Sequence, residues 1–467
     1  MQIELPANFI SMIRSFGDEY AEGLLAALST TPSVSVRANI LKGCSPKADA
    51  DIVSWCKQGF YLNERPLFAA DPAWHQGLYY VQDASSMVYG EVVKHISDNF
   101  FSGRGGIRYL DACAAPGGKT IAAIEALPND ALIVANEYDR HRANILLENI
   151  AKEGAANVVV SRGDATCYLK HKSSFDIIAV DAPCSGEGMM RKEPEAIRQW
   201  SEALIKDCAK TQQNIINALW AALKPGGVMI YSTCTFNRSE NEEQLKYIAD
   251  ALGGESINLG LDKYEGVCRG FDTALHCYRF APGHVRGEGL FIGAMMKPGA
   301  CETKPARIPA KQLSPFSQQH ILKPELFTEI CTDDKLVLRS AVHSAFIADL
   351  CKTIDIIRSG LTVATIKGRD YIPSHDLALS STLVAESFPH INLDYAGAIS
   401  YLRGESLSEL PCDSPIGYII AQYQNRPLGF LKNIGRRANN NYPDFLRLRL
   451  DSRALPVEAP IPLIVLS

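Results

Sequence analysis

Residues 109–120 read YLDACAAPGGKT, a stretch that joins an apolar strand-like run to the start of a predicted helix. Gly117 and Gly118 carry no Cβ, so the backbone there can approach a ligand closely, and the first amide groups of the helix would point at that ligand. The pattern is not GxGxxG, which favours another adenosine ligand over a dinucleotide. The turn therefore predicts a cofactor site at the edge of a sheet.

Around this turn, from residue 107 to residue 297, short apolar runs alternate with helical stretches such as 120–126 and 140–153. The predicted strands lie at 107–110, 131–135, 157–160, 175–180, 227–231 and 290–294. Alternation of strands and helices predicts an α/β fold with a parallel, doubly wound sheet that has helices on both faces.

The rest of the chain is less regular and contains no internal repeat. Residues 1–100 mix short helical and extended pieces and are interpreted as an N-terminal domain, followed by the α/β domain at 101–297. Four prolines and interspersed basic residues indicate a linker at 298–315. Residues 316–384 are interpreted as a small mixed domain, and the short strands and Gly/Asn turns of 385–467 predict a β-rich module.

Composition limits the class of protein. The chain has 467 residues, 46% hydrophobic and 21% charged, which is typical of a globular protein of several domains. No apolar run approaches the roughly 18 residues that span a bilayer, and the N-terminus lacks the order of a signal peptide. Thirteen scattered cysteines indicate reduced thiols, so we expect a cytoplasmic protein. The net charge of −5 means that a nucleic-acid partner would need local basic patches.

Carboxylates follow three successive predicted strands. Glu137 suits the two hydroxyls of a ribose, Asp164 could accept from an adenine amino group, and Asp181 ends the fourth strand. Each acid alone could equally be a helix cap. Because all three fall at one edge of the sheet, they favour a ligand site, and S-adenosylmethionine fits because it has a ribose and an adenine and no phosphate.

Two cysteines also lie where predicted strands end, Cys184 in DAPCSGEG (181–188) and Cys234 in YSTCT (231–235). The C5 atom of a pyrimidine accepts a methyl group only after a nucleophile has added to C6, and a thiolate suits that step. A second group must assist elimination, and Asp181 could steady the adduct at the N3 edge. A buried packing role is the alternative for either thiol, and spacing leaves open which of them attacks.

Two other cysteine-containing segments are interpreted as structural. Cys113 flanks the cofactor turn and is expected to be a small packing residue. The run HCYRFAPGH at 276–284, with Cys268 upstream, matches no usual zinc-ligand spacing, so no metal site is predicted.

Several motifs together resemble the Sun-type RNA 5-methylcytosine methyltransferases, most closely the bacterial RsmF branch. They are APGGKT (115–120), DAPCSGEGMMRK (181–192), YSTCTFNRSENE (231–242), SVRAN (35–39), YVQDASS (80–86) and RFAPGHVRGEG (279–289). The segments GYIIAQYQNRPLGFLK (417–432) and NNNYP (439–443) resemble the PUA-like module of the same branch. The resemblance implies a Rossmann-like methyltransferase sheet with an N-terminal RNA-facing domain and a C-terminal PUA-like module.

The resemblance also implies roles. Cys234 falls on the family's nucleophile and Cys184 on the cysteine that assists release, with Asp181 and Lys119 beside the target base. The implied cofactor residues are Cys113, Ala114, Ala115, Pro116, Gly117, Gly118, Lys119, Glu137, Arg142, Asp164 and Asp181. Met190 and Ala182 depart from the family's usual Phe and Val, away from the chemistry.

The resemblance implies that the substrate is a cytidine of ribosomal RNA, within the small-subunit 16S RNA. Chemistry on a ring carbon requires that base to be flipped into the pocket. Seven basic against two acidic residues at 426–453 predict an RNA-binding patch, with a solvated face as the alternative. Arg37, Arg191 and Lys192 are further RNA-contact candidates. We expect a monomer with no membrane or DNA partner. A tRNA methyltransferase and a non-catalytic RNA-binding or ribosome-assembly factor remain alternatives, and the intact cysteine pair disfavours the second.

Overall fold

The computed structural model of the protein describes residues 4–300, 313–407, 414–451, 453, 455, 456 and 458–466. The predicted linker at 298–315 lies mostly outside these described residues. Across the described ranges, no helix is long and apolar enough to cross a lipid bilayer.

The first hundred residues form four helices and five strands. The helices are α1 (Ala7–Arg14), α2 (Asp18–Ala27), α3 (Pro72–His75) and α4 (Val88–Phe100). The strands are β1 (Val34–Ala38), β2 (Cys44–Pro46), β3 (Asp51–Val53), β4 (Cys56–Leu62) and β5 (Tyr79–Val81). Four of them form an antiparallel sheet in the order β3-β4-β1-β5. Phe9 and Ile13 of α1 pack in one cluster with Trp200 and Phe236, so this part of the chain supports later loops.

The central part of the chain contains nine strands and five helices. The strands are β6 (Arg108–Asp111), β7 (Leu132–Glu137), β8 (Val158–Arg162), β9 (Phe175–Asp181), β10 (Leu223–Thr233), β11 (Glu255–Ile257), β12 (Cys268–Arg269), β13 (Cys277–Phe280) and β14 (Leu290–Met296). The helices are α5 (Gly118–Ala126), α6 (Arg140–Glu153), α7 (Pro194–Gln199), α8 (Glu202–Ala222) and α9 (Glu242–Leu252). All six predicted strands are therefore present.

Five of these strands run parallel, in the spatial order β10-β9-β6-β7-β8. The prediction of a parallel sheet is wrong for its last strand, because β14 pairs antiparallel with β10 and with β13. Only residues 281–289 join β13 to β14, and a parallel connection needs a crossover of about a dozen residues or more. A Rossmann-like sheet with an antiparallel edge results.

Helices and loops cover both faces of this sheet, as the sequence of β7 requires. Successive side chains of a strand point to opposite faces, and every residue of β7 is buried. Ile133 and Ala135 belong to one core cluster, whereas Leu132 and Val134 belong to the other. The apolar run thus packs two cores, one on each face.

The described residues from 313 onward add four helices and ten strands. The helices are α10 (Pro315–His320), α11 (Ser344–Thr353), α12 (His375–Leu379) and α13 (Tyr395–Leu402). The strands are β15 (Phe327–Thr332), β16 (Lys335–Ser340), β17 (Ile356–Arg358), β18 (Leu361–Lys367), β19 (Asp370–Pro373), β20 (His390–Leu393), β21 (Gly417–Tyr423), β22 (Arg426–Asn433), β23 (Ala438–Asn440) and β24 (Ile464–Leu466).

These C-terminal elements pack on the rest of the molecule. β17 pairs with β8 at the edge of the central sheet, and α11 contributes Ile347 and Leu350 to its core. The sheet β20-β21-β22-β23 contacts the N-terminal part through Gln76, whose amide donates to the carbonyl oxygens of Tyr423 and Arg426 at 2.9 and 2.6 Å. β24 pairs with β2, so the end of the chain is held against its beginning.

Candidate active site

The predicted site residues all lie at the carboxyl edge of the parallel strands. The 113–119 turn follows β6, Glu137 ends β7, Asp164 follows β8, and Cys184 and Cys234 follow β9 and β10. From β6 the chain builds outward through β7 and β8, then returns to place β9 on the other side of β6. Open α/β sheets bind ligands at such a switch point.

The two cysteines meet across the β9 and β10 loops. The sulfur atoms of Cys184 and Cys234 lie 3.3 Å apart, and both residues are partly exposed. The hydrogen bond with Cys234, together with burial, raises the pKa of the Cys184 thiol well above its ordinary value. Cys184 therefore keeps its proton, and the sulfur of Cys234 can accept the hydrogen bond from it.

A lysine–aspartate pair lies next to the sulfur atoms. The Nζ atom of Lys119 is 2.6 Å from an oxygen of Asp181. Burial alone would lower the pKa of Lys119, but Asp181, with smaller contributions from Cys234 and Asp111, opposes burial and the net pKa is raised, so the lysine stays charged. Ser232 donates to the other oxygen of Asp181 at 2.7 Å and is itself 2.6 Å from the hydroxyl of Tyr89. These contacts fix the orientation of the Asp181 carboxylate.

The cofactor turn has the backbone shape that the sequence predicts. Gly117 adopts φ of +117°, in the left-handed region that favours glycine, and α5 begins immediately after it. A Cβ on Gly118 would lie 3.1 Å from the ring of Tyr80, so the turn is also closely packed against β5. Behind the turn, Thr120 donates to Asp111 at 2.6 Å, and burial raises the pKa of Asp111 to about 6.

Glu137 and Arg142 both hydrogen-bond to the backbone of this turn. The buried Glu137 carboxylate accepts from the amides of Ala115 at 3.3 Å and Asp139 at 2.9 Å. Arg142 lies 3.8 Å from that carboxylate and donates to the carbonyl of Ala115 at 2.7 Å. The carboxylate is therefore held rigidly where β7 ends.

The remaining predicted cofactor residues differ in exposure. Ala114 and Ala115 are buried, Cys113 is partly buried, and burial raises the pKa of Cys113 well above its ordinary value. Asp164 is exposed and accepts from the amide of Thr166 at 2.8 Å, so it does cap a short helical turn. Its neighbour Gly163 leaves open space where a Cβ would be, which leaves room for a ligand beside the cap.

Two buried glutamates join the cysteine loops, and sequence reasoning missed both. Glu187 accepts from the hydroxyl of Thr235 at 2.5 Å and from the amides of Phe236 and Asn237 at 2.6 and 3.0 Å. Glu240 accepts from the amide and hydroxyl of Ser185, at 3.0 and 2.5 Å. Each motif thus supplies a carboxylate that holds the opposite loop. The sequence shows only that each cysteine motif contains an acid, and acids are also typical of the protein surface.

Three family models match three separate parts of this chain. Residues 103–296 match the family described as 16S rRNA methyltransferase RsmB/F. Residues 5–84 match the N-terminal domain of 16S rRNA methyltransferase RsmF, and residues 388–448 match the methyltransferase RsmF PUA domain. Ribosomal RNA small subunit methyltransferase F of Pectobacterium atrosepticum is 31% identical over 94% of this chain and 95% of its own. The protein of the same name from Shewanella loihica is 30% identical over 87% and 86%.

The chain belongs to the RsmF family. A solved structure of a methyltransferase homolog protein from Pyrococcus horikoshii is 26% identical, with a TM-score of 0.50 over 63% of this chain and all of that one. The structure of NSun6 from Pyrococcus horikoshii shares the fold, with a TM-score of 0.51 over 63% of this chain and 99% of that one at 20% identity.

This RsmF-family chain does not present all the RNA-contact candidates at its surface. The prediction for Arg37 is wrong, because its side chain is 3% exposed and forms an ion pair with Glu125 at 3.0 Å. Arg191 is also largely buried and donates to the carbonyl of Thr31 at 2.6 Å. Lys192 is partly exposed, so it remains a candidate.

The basic stretch at 426–453 combines buried apolar residues with exposed arginines. Arg436, Arg437, Arg447 and Arg449 are exposed, as is the ring of Phe445. Arg447 lies 2.5 Å from Asp444, which neutralises part of its charge locally. An exposed aromatic ring among cations suits single-stranded RNA.

Two further features of this RsmF-family chain lie outside the site. A cavity of about 630 Å³ between the N-terminal sheet and the end of the chain has mostly apolar walls that include Leu67, Phe68, Tyr79 and Ile461, and it contains none of the predicted site residues. Among the described residues there is no cluster of three side chains suited to a metal ion.

Proposed function

We propose that this protein methylates C5 of a cytidine in small-subunit ribosomal RNA, through a covalent bond between Cys234 and C6 of the base. The observation that carries the proposal is the pair of sulfur atoms 3.3 Å apart beside the Lys119–Asp181 pair. Membership of the RsmF family and the small-subunit names of its relatives support the substrate class.

The edge of β6 and β7 fits S-adenosylmethionine, which supplies a methyl group when bound. Gly117 and Gly118 let the backbone come close to the ligand, and the amides at the start of α5 point toward it. Glu137 offers a fixed carboxylate to ribose hydroxyls, and the open space at Gly163 admits a ring beside Asp164. The turn 113–119, Arg142 and Asp181 complete the proposed cofactor site.

The reaction then follows from groups at the edge of β9 and β10. The Cys234 thiolate adds to C6, and the π-electron pair of the C5–C6 bond becomes available at C5 to bond the methyl carbon. With the cofactor bound, the S–CH3 bonding pair would remain on its sulfur, which becomes a neutral thioether. Asp181, held by Lys119 and Ser232, steadies the adduct at the N3 edge of the base, where its carboxylate accepts a hydrogen bond from the exocyclic amino group.

Release reverses the addition. The C5–H electrons form the C5–C6 double bond, the C5 proton passes to solvent, and the C6–S electrons return to Cys234. The thiol of Cys184, 3.3 Å away, donates a hydrogen bond to the departing sulfur and so assists the step.

The surrounding parts of the chain bind and orient the RNA in this proposal. We assign an N-terminal domain at 1–100, the methyltransferase domain at 101–297, a linker at 298–315, a mixed segment at 316–384 and a PUA-like module at 385–467. The exposed arginines of that module support RNA contact. We place the protein in the cytoplasm with its ribosomal RNA substrate, and each monomer carries a complete set of site residues.

The test is methyl transfer from labelled S-adenosylmethionine to isolated small-subunit rRNA, to assembled small subunits and to tRNA. We expect label in rRNA or the subunit, at C5 of cytidine, and none with Cys234→Ser. Label in tRNA alone would contradict the substrate, and activity of Cys234→Ser would contradict the covalent step.

A further inference from the structure

The carboxylate of Glu240 is saturated by hydrogen-bond donors. One oxygen accepts from the hydroxyl of Ser185 at 2.5 Å and the side-chain amide of Asn237 at 2.8 Å. The other accepts from the backbone amide of Ser185 at 3.0 Å and the side-chain amide of Gln212 at 2.8 Å. Burial raises the pKa of Glu240, and these donors oppose that shift. Three of the four donors are amide nitrogens, which do not accept hydrogen bonds, and the fourth is a hydroxyl that can turn its proton toward the carboxylate, so this shell favours the anion.

This anion holds the chain on both sides of Cys184. It contacts the amide of Ser185 directly, and Gln212 bridges it to the carbonyl of Pro183 at 3.0 Å. A buried negative charge next to a thiol disfavours the thiolate. Besides the hydrogen bond to Cys234 and burial, the charge of Glu240 is a cause of the raised pKa of Cys184.

The other sulfur has a cation beside it. The charge of Cys234 contributes to the raised pKa of Lys119, after burial and the larger effect of Asp181, which places Lys119 close to that sulfur. The Glu240 carboxylate therefore lies on the Cys184 side of the sulfur pair, and the cation of the Lys119–Asp181 ion pair lies on the Cys234 side.

Another titratable neighbour of Cys184 is the phenol of Tyr231, which Asp181 and Cys208 also approach. Cys184 and Glu240 both raise the pKa of Tyr231, after burial, so this ring stays neutral. Its hydroxyl donates to the backbone carbonyl of Glu240 at 2.6 Å. Glu240 is thus the charged residue on the Cys184 side of the pair.

We propose that Glu240 is a positioning residue that keeps the proton of the sulfur pair on Cys184, so that Cys234 is the thiolate that attacks. The inference rests on the proposed covalent function but concerns a property of the protein without RNA. Which of two adjacent cysteines attacks is then decided by the charges that flank them rather than by the cysteine motifs alone.

The test is the initial rate of alkylation of each cysteine by iodoacetamide, mapped by mass spectrometry between pH 6 and 10. In the unaltered protein we expect Cys184 to react with a midpoint at higher pH than Cys234. The reverse order would overturn the proposal without any variant. We expect Glu240→Gln to lower the pKa of Cys184 by about one unit, and such a fall raises the thiolate fraction about tenfold below the midpoint. Alkylation of Cys184 at pH 7.5 should therefore become about tenfold faster in this variant.

Glu187→Gln is the matched control, because Glu187 is an equally buried carboxylate that holds the Cys234 loop and is not among the causes of the raised pKa of Cys184. We expect it to leave the Cys184 midpoint unchanged. Equal shifts in both variants, or none in Glu240→Gln, would assign Glu240 a purely structural role. Alkylation can be measured without methyl transfer, so the two proposals can fail separately. If the cysteine midpoints are as expected but the protein does not methylate rRNA, the proposed function is refuted and the inference about Glu240 is not.

Discussion

Replacement of Glu187 by alanine should loosen the loop that carries Cys234. Glu187 is completely buried, and its carboxylate accepts from the hydroxyl of Thr235, the amides of Phe236 and Asn237, and the indole of Trp200 at 2.9 Å. The hydroxyl of Thr235 can rotate to another acceptor. The two backbone amides and the indole cannot, so three buried donors lose their partner.

The size of the effect follows from those three groups. A buried donor without a partner costs about 1–3 kcal/mol, so the local loss is at least roughly 3 kcal/mol. Because 1.36 kcal/mol is a factor of ten, the opening equilibrium of the loop should increase roughly 150-fold. Glu187→Gln keeps one acceptor oxygen and leaves chiefly the indole unpaired, so its effect should be about 1 kcal/mol.

Hydrogen–deuterium exchange of the peptide that contains Phe236 and Asn237 measures this opening directly. We expect both amides to exchange about a hundredfold faster in Glu187→Ala, with methyl transfer lost and strands β6–β8 unaffected. If the two amides exchange at a rate within about fivefold of that in the unaltered protein, the Glu187 carboxylate does not hold the Cys234 loop.

Three further changes test other parts of the account. Cys184→Ser should accumulate a covalent protein–RNA species on a denaturing gel, and its absence in a folded variant would contradict the release role. Asp111 has a folded pKa of about 6, above the usual carboxyl value. The free energy of unfolding should therefore fall as pH rises from about 4 to 6, by roughly 3 kcal/mol at most. Thermal unfolding measured across this pH range should show no such fall for Asp111→Asn. Substitution of Arg436 and Arg437 by alanine should weaken RNA binding and its salt dependence while cofactor binding measured by calorimetry stays unchanged; equal losses would make the stretch a solvated face.

The sequence predicts the strands and the site edge because both depend on local patterns. Apolar runs mark β6 to β10, and a polar or thiol residue at the end of each run falls at one edge once the strands are parallel. The direction of β14 could not be predicted, since periodicity carries no direction and only the short loop from β13 determines it.

The burial of charged residues was the second feature that could not be predicted from the sequence. Arg37 and Glu125 are 88 positions apart, and their pairing depends on how the N-terminal sheet packs on α5. The roles of Glu187 and Glu240 likewise appear only when the two cysteine loops meet, because each acid binds donors from the opposite loop. A motif indicates that an acid is present but not which loop it holds.

Bisulfite sequencing of ribosomal and transfer RNA tests whether the protein methylates a cytidine through Cys234, in cells with the intact gene, without it, and with the Cys234→Ser variant. We expect one cytidine in small-subunit rRNA to resist conversion only when the unaltered protein is present. An unchanged rRNA pattern, or a protected cytidine that persists with Cys234→Ser, would contradict it.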